Sequence, residues 1–125
     1  MNALGLTGMR MFVEVPKLYL HREPVDFRKQ INGLSVLVEE TLQLNPFDEA
    51  VFIFINRSRN RLKILYWERN GFCLWLKRLE KDKFAWPRKR TDKAVTLNEE
   101  QLQALLSGLN PFQQPHQALS YRSVL

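Results

Sequence analysis

The sequence predicts an α+β fold in which an antiparallel sheet packs against one long helix, with a second helix nearer the C-terminus. Two patterns predict this class. From 26 to 43 the apolar residues recur at steps of three and four, the period of one helix face. From 50 to 80 the chain instead holds three β-rich segments joined by short polar stretches. A chain of 125 residues has the length of one domain, so we predict a single domain over 1–110 and a loose tail over 111–125.

The first two elements are a strand and the long helix. Residues 10–20, RMFVEVPKLYL, alternate loosely between apolar and polar and predict an N-terminal strand. The helix follows from Asp26, which is placed to cap or complement its start. Its end is predicted before Pro46, because the residue that precedes a proline is biased away from helical geometry. The apolar stripe consists of Phe27, Ile31, Leu34, Val38 and Leu42.

Three strands then form a predicted antiparallel meander over AVFIFINR, RLKILYWER and FCLWLKRLE. The second turn contains Asn70-Gly71, a pair that favours a two-residue hairpin and would place Lys63 opposite Arg78. In the first hairpin, Asn56 is taken to pair with Arg61.

This register gives the meander two apolar faces, although an antiparallel sheet in a small domain usually has one face exposed to solvent. One face carries Phe52, Phe54, Leu65, Trp67, Leu74 and Leu76, and the other carries Val51, Ile53, Ile55, Leu62, Ile64, Tyr66 and Trp75. The second face must therefore meet a helix, the N-terminal strand or another protein.

A second helix is predicted over 97–108, where it covers part of that second face. Thr96 and Glu99 fit a capping box at its start. Between sheet and helix, Phe84 and Trp86 have two interpretations. Aromatic residues at such a junction usually seal the core, but they can also stack on an exposed base.

The charge of the chain is uneven. Its net charge is +6 and its pI is near 9.8, a balance that favours a polyanionic partner. Residues 57–93 hold 13 Lys and Arg against four acids, a net of +9, whereas the rest of the chain holds six against nine, a net of -3.

The sequence predicts neither catalysis nor a metal site nor a cofactor. Asp26, Asp48, Glu49, Glu68, Asp82 and Asp92 each have a structural interpretation as a cap, turn or hairpin residue. His21 and His116 lie far apart, and no nucleophile elbow, P-loop or dinucleotide fingerprint is present. Cys73 is the single cysteine, so no internal disulfide is possible. Without an export signal or a run of about 18 apolar residues, the expected location is the cytoplasm and no membrane partner is expected.

A nucleic-acid surface is predicted where the hairpins bring cations together, because attraction to DNA grows with the number of phosphates neutralised. The alternative is that these charges are solvated and protect a sheet edge. The candidate residues are Arg57, Arg59, Arg61, Lys63, Lys77, Arg78, Lys83, Arg88, Lys89 and Arg90.

Three stretches in order, VDFRKQINGLSVLV, LNPFDEAVFIFINRSRNRLKILYWERNGFCLWLKRLEKDKFAWP and LNEEQLQALLSGLN, resemble the small second-reading-frame protein of the bacterial insertion-sequence family sixty-six. The resemblance covers about residues 17–110. It implies a non-enzymatic accessory of DNA transposition, since in that family a separate, larger protein carries the transposase. The positions that match its most characteristic motifs are Asp26, Arg28, Asn56, Arg57, Arg61, Lys63, Gly71, Lys77, Arg78, Leu79, Phe84, Trp86 and Pro87.

Two functional hypotheses follow. In the first, the accessory protein binds DNA at the transposon ends through the basic hairpin surface, with little base readout. In the second, it is an adaptor that docks on the transposase, or on itself as a homo-oligomer, through the spare apolar sheet face. Neither hypothesis requires a small-molecule substrate.

Overall fold

A computed structural model describes residues 16–87 and 91–112. Within these residues, five strands form one sheet in the order β4-β3-β2-β1-β5. The elements along the chain are β1 (Lys17–His21), α1 (Ile31–Glu40), β2 (Ala50–Ile55), β3 (Arg61–Glu68), β4 (Gly71–Arg78), β5 (Ala94–Leu97) and α2 (Glu99–Leu106). The α+β class and the three-strand meander are confirmed. Residues 10–15 of the predicted first strand and 113–125 of the predicted tail lie outside the described residues.

The sheet is mixed, so the predicted purely antiparallel arrangement is wrong. β1 runs parallel to β2, and β5 adds to the other side of β1 in antiparallel orientation. The parallel pair arises because α1 carries the chain from the end of β1 back to the start of β2, as in other crossover connections. β5 was not predicted, since it has only four residues and its sequence resembles a helix start.

The predicted long helix is also wrong in extent. α1 covers ten residues, and its N-cap, Gln30, has extended geometry and no side-chain hydrogen bond. Asp26 does not cap it, because its Oδ1 accepts a 2.9 Å hydrogen bond from the backbone N–H of Arg28. The apolar period extends beyond the helix because Phe27 and Leu42, in the flanking loops, pack into the same core as α1.

α2 has the predicted place but a different cap. Asn98 Oδ1 accepts a 2.7 Å hydrogen bond from the N–H of Gln101, and Gln101 Oε1 accepts one of 2.9 Å from the N–H of Asn98. The capping box predicted for Thr96 and Glu99 is therefore wrong, since Thr96 belongs to β5.

The β3–β4 turn differs from the prediction by two residues in register. Glu68 lies opposite Gly71, and Lys63 lies opposite Leu76 rather than Arg78. The turn residues are thus Arg69 and Asn70, with Arg69 taking the left-handed conformation at φ 57°. A shift of two leaves every side chain on its predicted face.

The β2–β3 register is confirmed. Ile55 lies opposite Leu62, and the N–H of Asn56 donates a 3.2 Å hydrogen bond to the carbonyl of Arg61.

Both faces of the sheet are covered over its centre. α1 packs against Phe52, Phe54 and Leu65 on one face, here called the α1 face. On the opposite face, the α2 face, Ile53 and Ile64 share a core with α2, Phe84 and Trp86. Trp86 is buried and its Nε1–H donates a 2.7 Å hydrogen bond to the carbonyl of Arg22. The sealing interpretation of the two aromatics is confirmed.

Candidate nucleic-acid interface

The β2–β3 turn is built around the side chain of Asn56. Its Oδ1 accepts hydrogen bonds from the N–H groups of Asn60 and Arg61 at 3.1 and 3.0 Å, and its Nδ2 donates one of 2.7 Å to Asn60 Oδ1. An Asn side chain with this pattern replaces the strand ladder with a fixed turn. Within the turn, Arg59 has a left-handed backbone at φ 63°. Arg57 and Arg59 therefore lie in a turn whose backbone conformation is fixed by the hydrogen bonds of Asn56.

The segment after β4 lies against this turn. The N–H of Leu79 donates a 2.8 Å hydrogen bond to the carbonyl of Asn60, and the N–H of Phe84 donates one of 2.7 Å to the carbonyl of Arg59. Because Phe84 is buried, it anchors the segment. The exposed residues Lys81 and Lys83 lie between these two hydrogen-bonded positions, Leu79 and Phe84.

Two arginines face each other beside the same turn. Arg61 at the start of β3 lies directly opposite Arg78 at the end of β4, and both are exposed. Like charges directly opposite on neighbouring strands are destabilising. Arg78 Nε also contacts Glu80 Oε2 at 3.0 Å, in a pair with both side chains well exposed. Such a pair contributes little stability in water.

We call this region the basic end of the sheet. Its cations are Arg57, Arg59, Arg61, Arg78, Lys81 and Lys83, and its acids are Glu80 and Asp82. Six cations against two carboxylates give a net charge of +4 for residues 57–61 and 78–83 together. The structure thus brings cations from β3, β4 and the two connecting segments to one end of the sheet, but Lys63 and Lys77 of the predicted set are not among them. Lys81 was missed, although the charge of the segment around it was a visible signal.

Lys63, predicted to join this surface, lies in the interior. Its side chain crosses the α1 face, where Nζ donates hydrogen bonds of 2.9 and 2.8 Å to the carbonyls of Phe27 and Lys29. Only 5% of the residue is exposed. Burial lowers the pKa of Lys63, and the neighbouring charge of Arg61 lowers it further.

Lys77 has a structural contact as well. It is half-buried on the α2 face, and its Nζ donates a 2.7 Å hydrogen bond to the carbonyl of Leu106 at the last residue of α2. A cation is favourable at this end of a helix, where the carbonyls lack partners. Arg88, Lys89 and Arg90 lie outside the described residues.

An open cleft of about 380 Å³ adjoins the basic end. It forms where the loop before α1 approaches the β2–β3 turn, and the N–H of Val25 donates a 2.9 Å hydrogen bond to the carbonyl of Ile55. The lining residues are Pro24, Val25, Asp26, Phe27, Asn56, Arg57 and Ser58.

Asp26 at this cleft forms an ion pair with Arg28. The guanidinium of Arg28 donates from Nε and Nη2 to the carboxylate at 2.6 to 3.1 Å. These side-chain hydrogen bonds, together with the backbone N–H of Arg28, lower the pKa of Asp26 to about 2. Arg28 thus places a further cation near the turn, one that the sequence hypothesis did not include.

Among the described residues, no group of three or more His, Cys, Asp or Glu side chains has the geometry to hold a metal ion. In the same part of the chain, no helix is long and apolar enough to cross a bilayer. Cys73 is half-buried opposite Tyr66, and its Sγ lies 3.9 Å from Glu68 Oε1.

The family model described as IS66 Orf2 like protein matches residues 16–117, which include all of the basic end. The chain belongs to the IS66 Orf2-like family. This is the insertion-sequence family that the motifs resemble, and its members are accessory proteins rather than a known catalytic family.

Two relatives come from Sinorhizobium fredii (strain NBRC 101917 / NGR234). The protein y4hO, described as uncharacterized, is 38% identical over 85 residues, which cover 68% of this chain and 73% of that protein. The protein y4jC, also described as uncharacterized, is 34% identical over 94 residues, covering 75% of this chain and 80% of that protein. No solved structure matches the chain.

Proposed function

We propose that this IS66 Orf2-like protein is a non-enzymatic accessory of DNA transposition that binds DNA through the basic end of its sheet. The observation that carries the proposal is the placement of Arg61 opposite Arg78. Two exposed like charges in this position cost stability, and a bound phosphate removes the repulsion.

The surroundings of this pair support a phosphate-binding surface. The turn that bears Arg57 and Arg59 is fixed by Asn56, and the segment that bears Lys83 is fixed by two backbone hydrogen bonds. A net charge of +4 is therefore concentrated on backbone that has little freedom to rearrange. Preorganised cations of this kind position DNA through its phosphates.

The surface supports binding with little base readout. The basic end consists of a turn, strand ends and a loop segment, whereas sequence reading in the major groove usually needs an inserted helix or β-ribbon. Lys63 and Lys77 are left out of the contact set because both ammonium groups are bonded to backbone carbonyls. The basic stretch 88–90 remains proposed as an additional arm.

The proposed partners are the DNA of the transposon ends and the transposase of the same element, in the cytoplasm. We do not retain the adaptor hypothesis in its predicted form, because the sheet face that it requires is covered by α2, Phe84 and Trp86.

The test is the affinity for a labelled duplex with the terminal repeat of the element and for a scrambled duplex, across a salt series. Four to six phosphate contacts predict a slope of log affinity against log salt of about -4 to -5. The double variant Arg61→Gln/Arg78→Gln should weaken binding to both duplexes and reduce the slope by about 2.

The matched control is Arg69→Gln, at the opposite end of the same hairpin, which should bind like the parent. Absence of binding to either duplex at low salt would overturn the proposal. Equal binding by the double variant and the parent would show that DNA contacts another surface.

A further inference from the structure

β4 is the outermost described strand on its side of the sheet, since it pairs only with β3. In an antiparallel pair, alternate residues direct their N–H and C=O groups toward the neighbour, so every second residue of β4 directs these groups outward. Exposed edges are usually protected by charge, proline or a bulge. Residues 71–76, GFCLWL, contain neither a charged residue nor a proline. Within the part of the chain that the structure describes, these six edge residues therefore have neither a strand partner on this side nor the charge or proline that usually protects an edge.

An apolar surface accompanies this edge on the α1 face. Two of its side chains are strongly exposed: Leu76 at 55% and Phe47 at 53%. Phe72 of β4 is half-buried beside them, with its ring centroid 5.2 Å from that of Phe47 and 5.0 Å from that of Trp67. Contiguous exposed apolar residues mark an interaction surface more often than isolated ones do. We call this edge with its flanking side chains the β4 margin.

We propose that the β4 margin binds the same margin of a second copy of this chain, so that two β4 strands pair antiparallel about a two-fold axis through Leu74. In this register Leu74 lies opposite its symmetry mate and Phe72 lies opposite Leu76 of the second copy. The axis is perpendicular to the sheet, so the two α1 faces lie on the same side of a continuous sheet. The exposed apolar groups of each copy then meet one another.

The charges at the two ends of β4 favour this orientation. Lys77 and Arg78 lie at one end of the strand, whereas the other end carries Glu68, opposite Gly71, and Arg69 in the turn, which together have no net charge. Antiparallel pairing places Lys77 of one copy opposite Gly71 of its partner, in the same row as Glu68. The ammonium group of Lys77 stays bonded to the carbonyl of Leu106, so this row brings a positive charge near Glu68 without forming an ion pair. A parallel pairing would instead align the cations of both copies and repel.

The first test is the oligomeric state of the full chain without DNA, measured by light scattering or sedimentation. At about 0.1 mM, a hundredfold above a micromolar Kd, we expect a dimer. Leu76→Lys places a charge on the open edge and should give a monomer with unchanged circular dichroism. The matched control is Leu109→Lys, at a residue that is 63% exposed but lies after α2, and it should remain dimeric.

The second test measures the register directly. The background variant is Cys73→Ser, which removes the single cysteine. On this background, Leu74→Cys places the thiols across the axis, where directly opposite residues have Cα atoms about 4.5–5.5 Å apart. This separation is within disulfide range, so mild oxidation should give a covalent dimer. Leu76→Cys on the same background should not cross-link, because its symmetry mate lies about 14 Å along the strand.

A chain that is monomeric at the stated concentration overturns the proposal. A dimer that persists in Leu76→Lys and fails to cross-link through position 74 also overturns it, since the copies would then use another surface. Both measurements are made without DNA, so neither depends on the proposed function.

Discussion

The ammonium group of Lys63 donates a 2.9 Å hydrogen bond to the carbonyl of Phe27 and lies 4.9 Å from the centroid of the same residue's ring. A second hydrogen bond, of 2.8 Å, goes to the carbonyl of Lys29. A lysine of the sheet thus fixes the loop that leads into α1, where the helix has no side-chain cap. The cation satisfies backbone groups that the short helix leaves outside its own hydrogen bonds.

Lys63→Met should therefore be a stability variant. It keeps the apolar stem but leaves two carbonyls near the core without a donor, and we expect the free energy of unfolding to fall by about 2–4 kcal/mol. Urea denaturation measures this change. Lys81→Met, at an exposed position, should change stability by no more than about 0.5 kcal/mol. An equally small effect of Lys63→Met would show that these bonds do not support the loop.

Arg59 and Arg69 make a matched pair for separating charge from backbone strain. Both are arginines at positive φ, 63° and 57°, but Arg59 belongs to the basic end and Arg69 to the opposite turn. Replacing either with Gly relieves a left-handed conformation, so each variant should gain up to about 1 kcal/mol in unfolding free energy.

Only the Arg59→Gly variant should lose DNA affinity under the proposed function. Anisotropy titrations with one duplex compare the two variants directly. Equal affinity of both would remove Arg59 from the contact set.

His21 should make stability depend on pH. It is 4% exposed, and burial lowers its pKa. Its Nδ1 lies 2.8 Å from the carbonyl of Glu23, which can only accept, so Nδ1 carries the proton. Nε2 has no hydrogen-bond partner among the described residues, and protonating it would bury an unpaired charge.

The unfolded chain takes up a proton on His21 below about pH 6.5, where the folded chain still does not. The stability contribution is thus full above that pH and falls below it by up to about 1.4 kcal/mol per pH unit, until the folded pKa is reached. Urea denaturation from about pH 7.5 to 5 measures the slope. His21→Leu should flatten it. A parent chain without the slope would contradict the prediction.

The Asp26–Arg28 pair should be visible by titration. The pKa of Asp26 is lowered to about 2 from 3.8, and NMR of the carboxyl carbon reports it directly. In Arg28→Gln the pKa should return most of the way to the ordinary value, because the side-chain hydrogen bonds of the guanidinium are lost. A pKa that stays near 2 in the variant would assign the shift to the backbone instead.

Local chemistry explains why the meander was predictable. In each strand, successive side chains alternate between the two faces of the sheet. A register error of two residues at the β3–β4 turn therefore left every side chain on its predicted face. The error arose because Asn-Gly favours a left-handed turn, whereas the chain uses Arg69 in that conformation. Nothing in the sequence marks an arginine as the residue that adopts it.

The sequence indicated where the positive charge of the candidate site lies. It was less informative about which individual residues belong to the site. The charge density around residues 57–93 pointed to this end of the sheet, but the predicted register placed Lys63 rather than Arg61 opposite Arg78. Whether a lysine on a strand faces solvent depends on what covers that strand. Lys63 and Lys77 were predicted to join the DNA surface, whereas the structure pairs their ammonium groups with backbone carbonyls 34 and 29 residues away.

The sequence by itself determined the α+β class, the meander, the family and the charge of one end of the sheet, because each depends on short-range periodicity or on composition. Only the tertiary structure decided the parallel β1–β2 pair, the fifth strand, the short α1 and the interior position of Lys63. These depend on contacts between residues far apart in the chain. A four-residue strand or a buried ammonium group becomes stable only when its distant partner is in place.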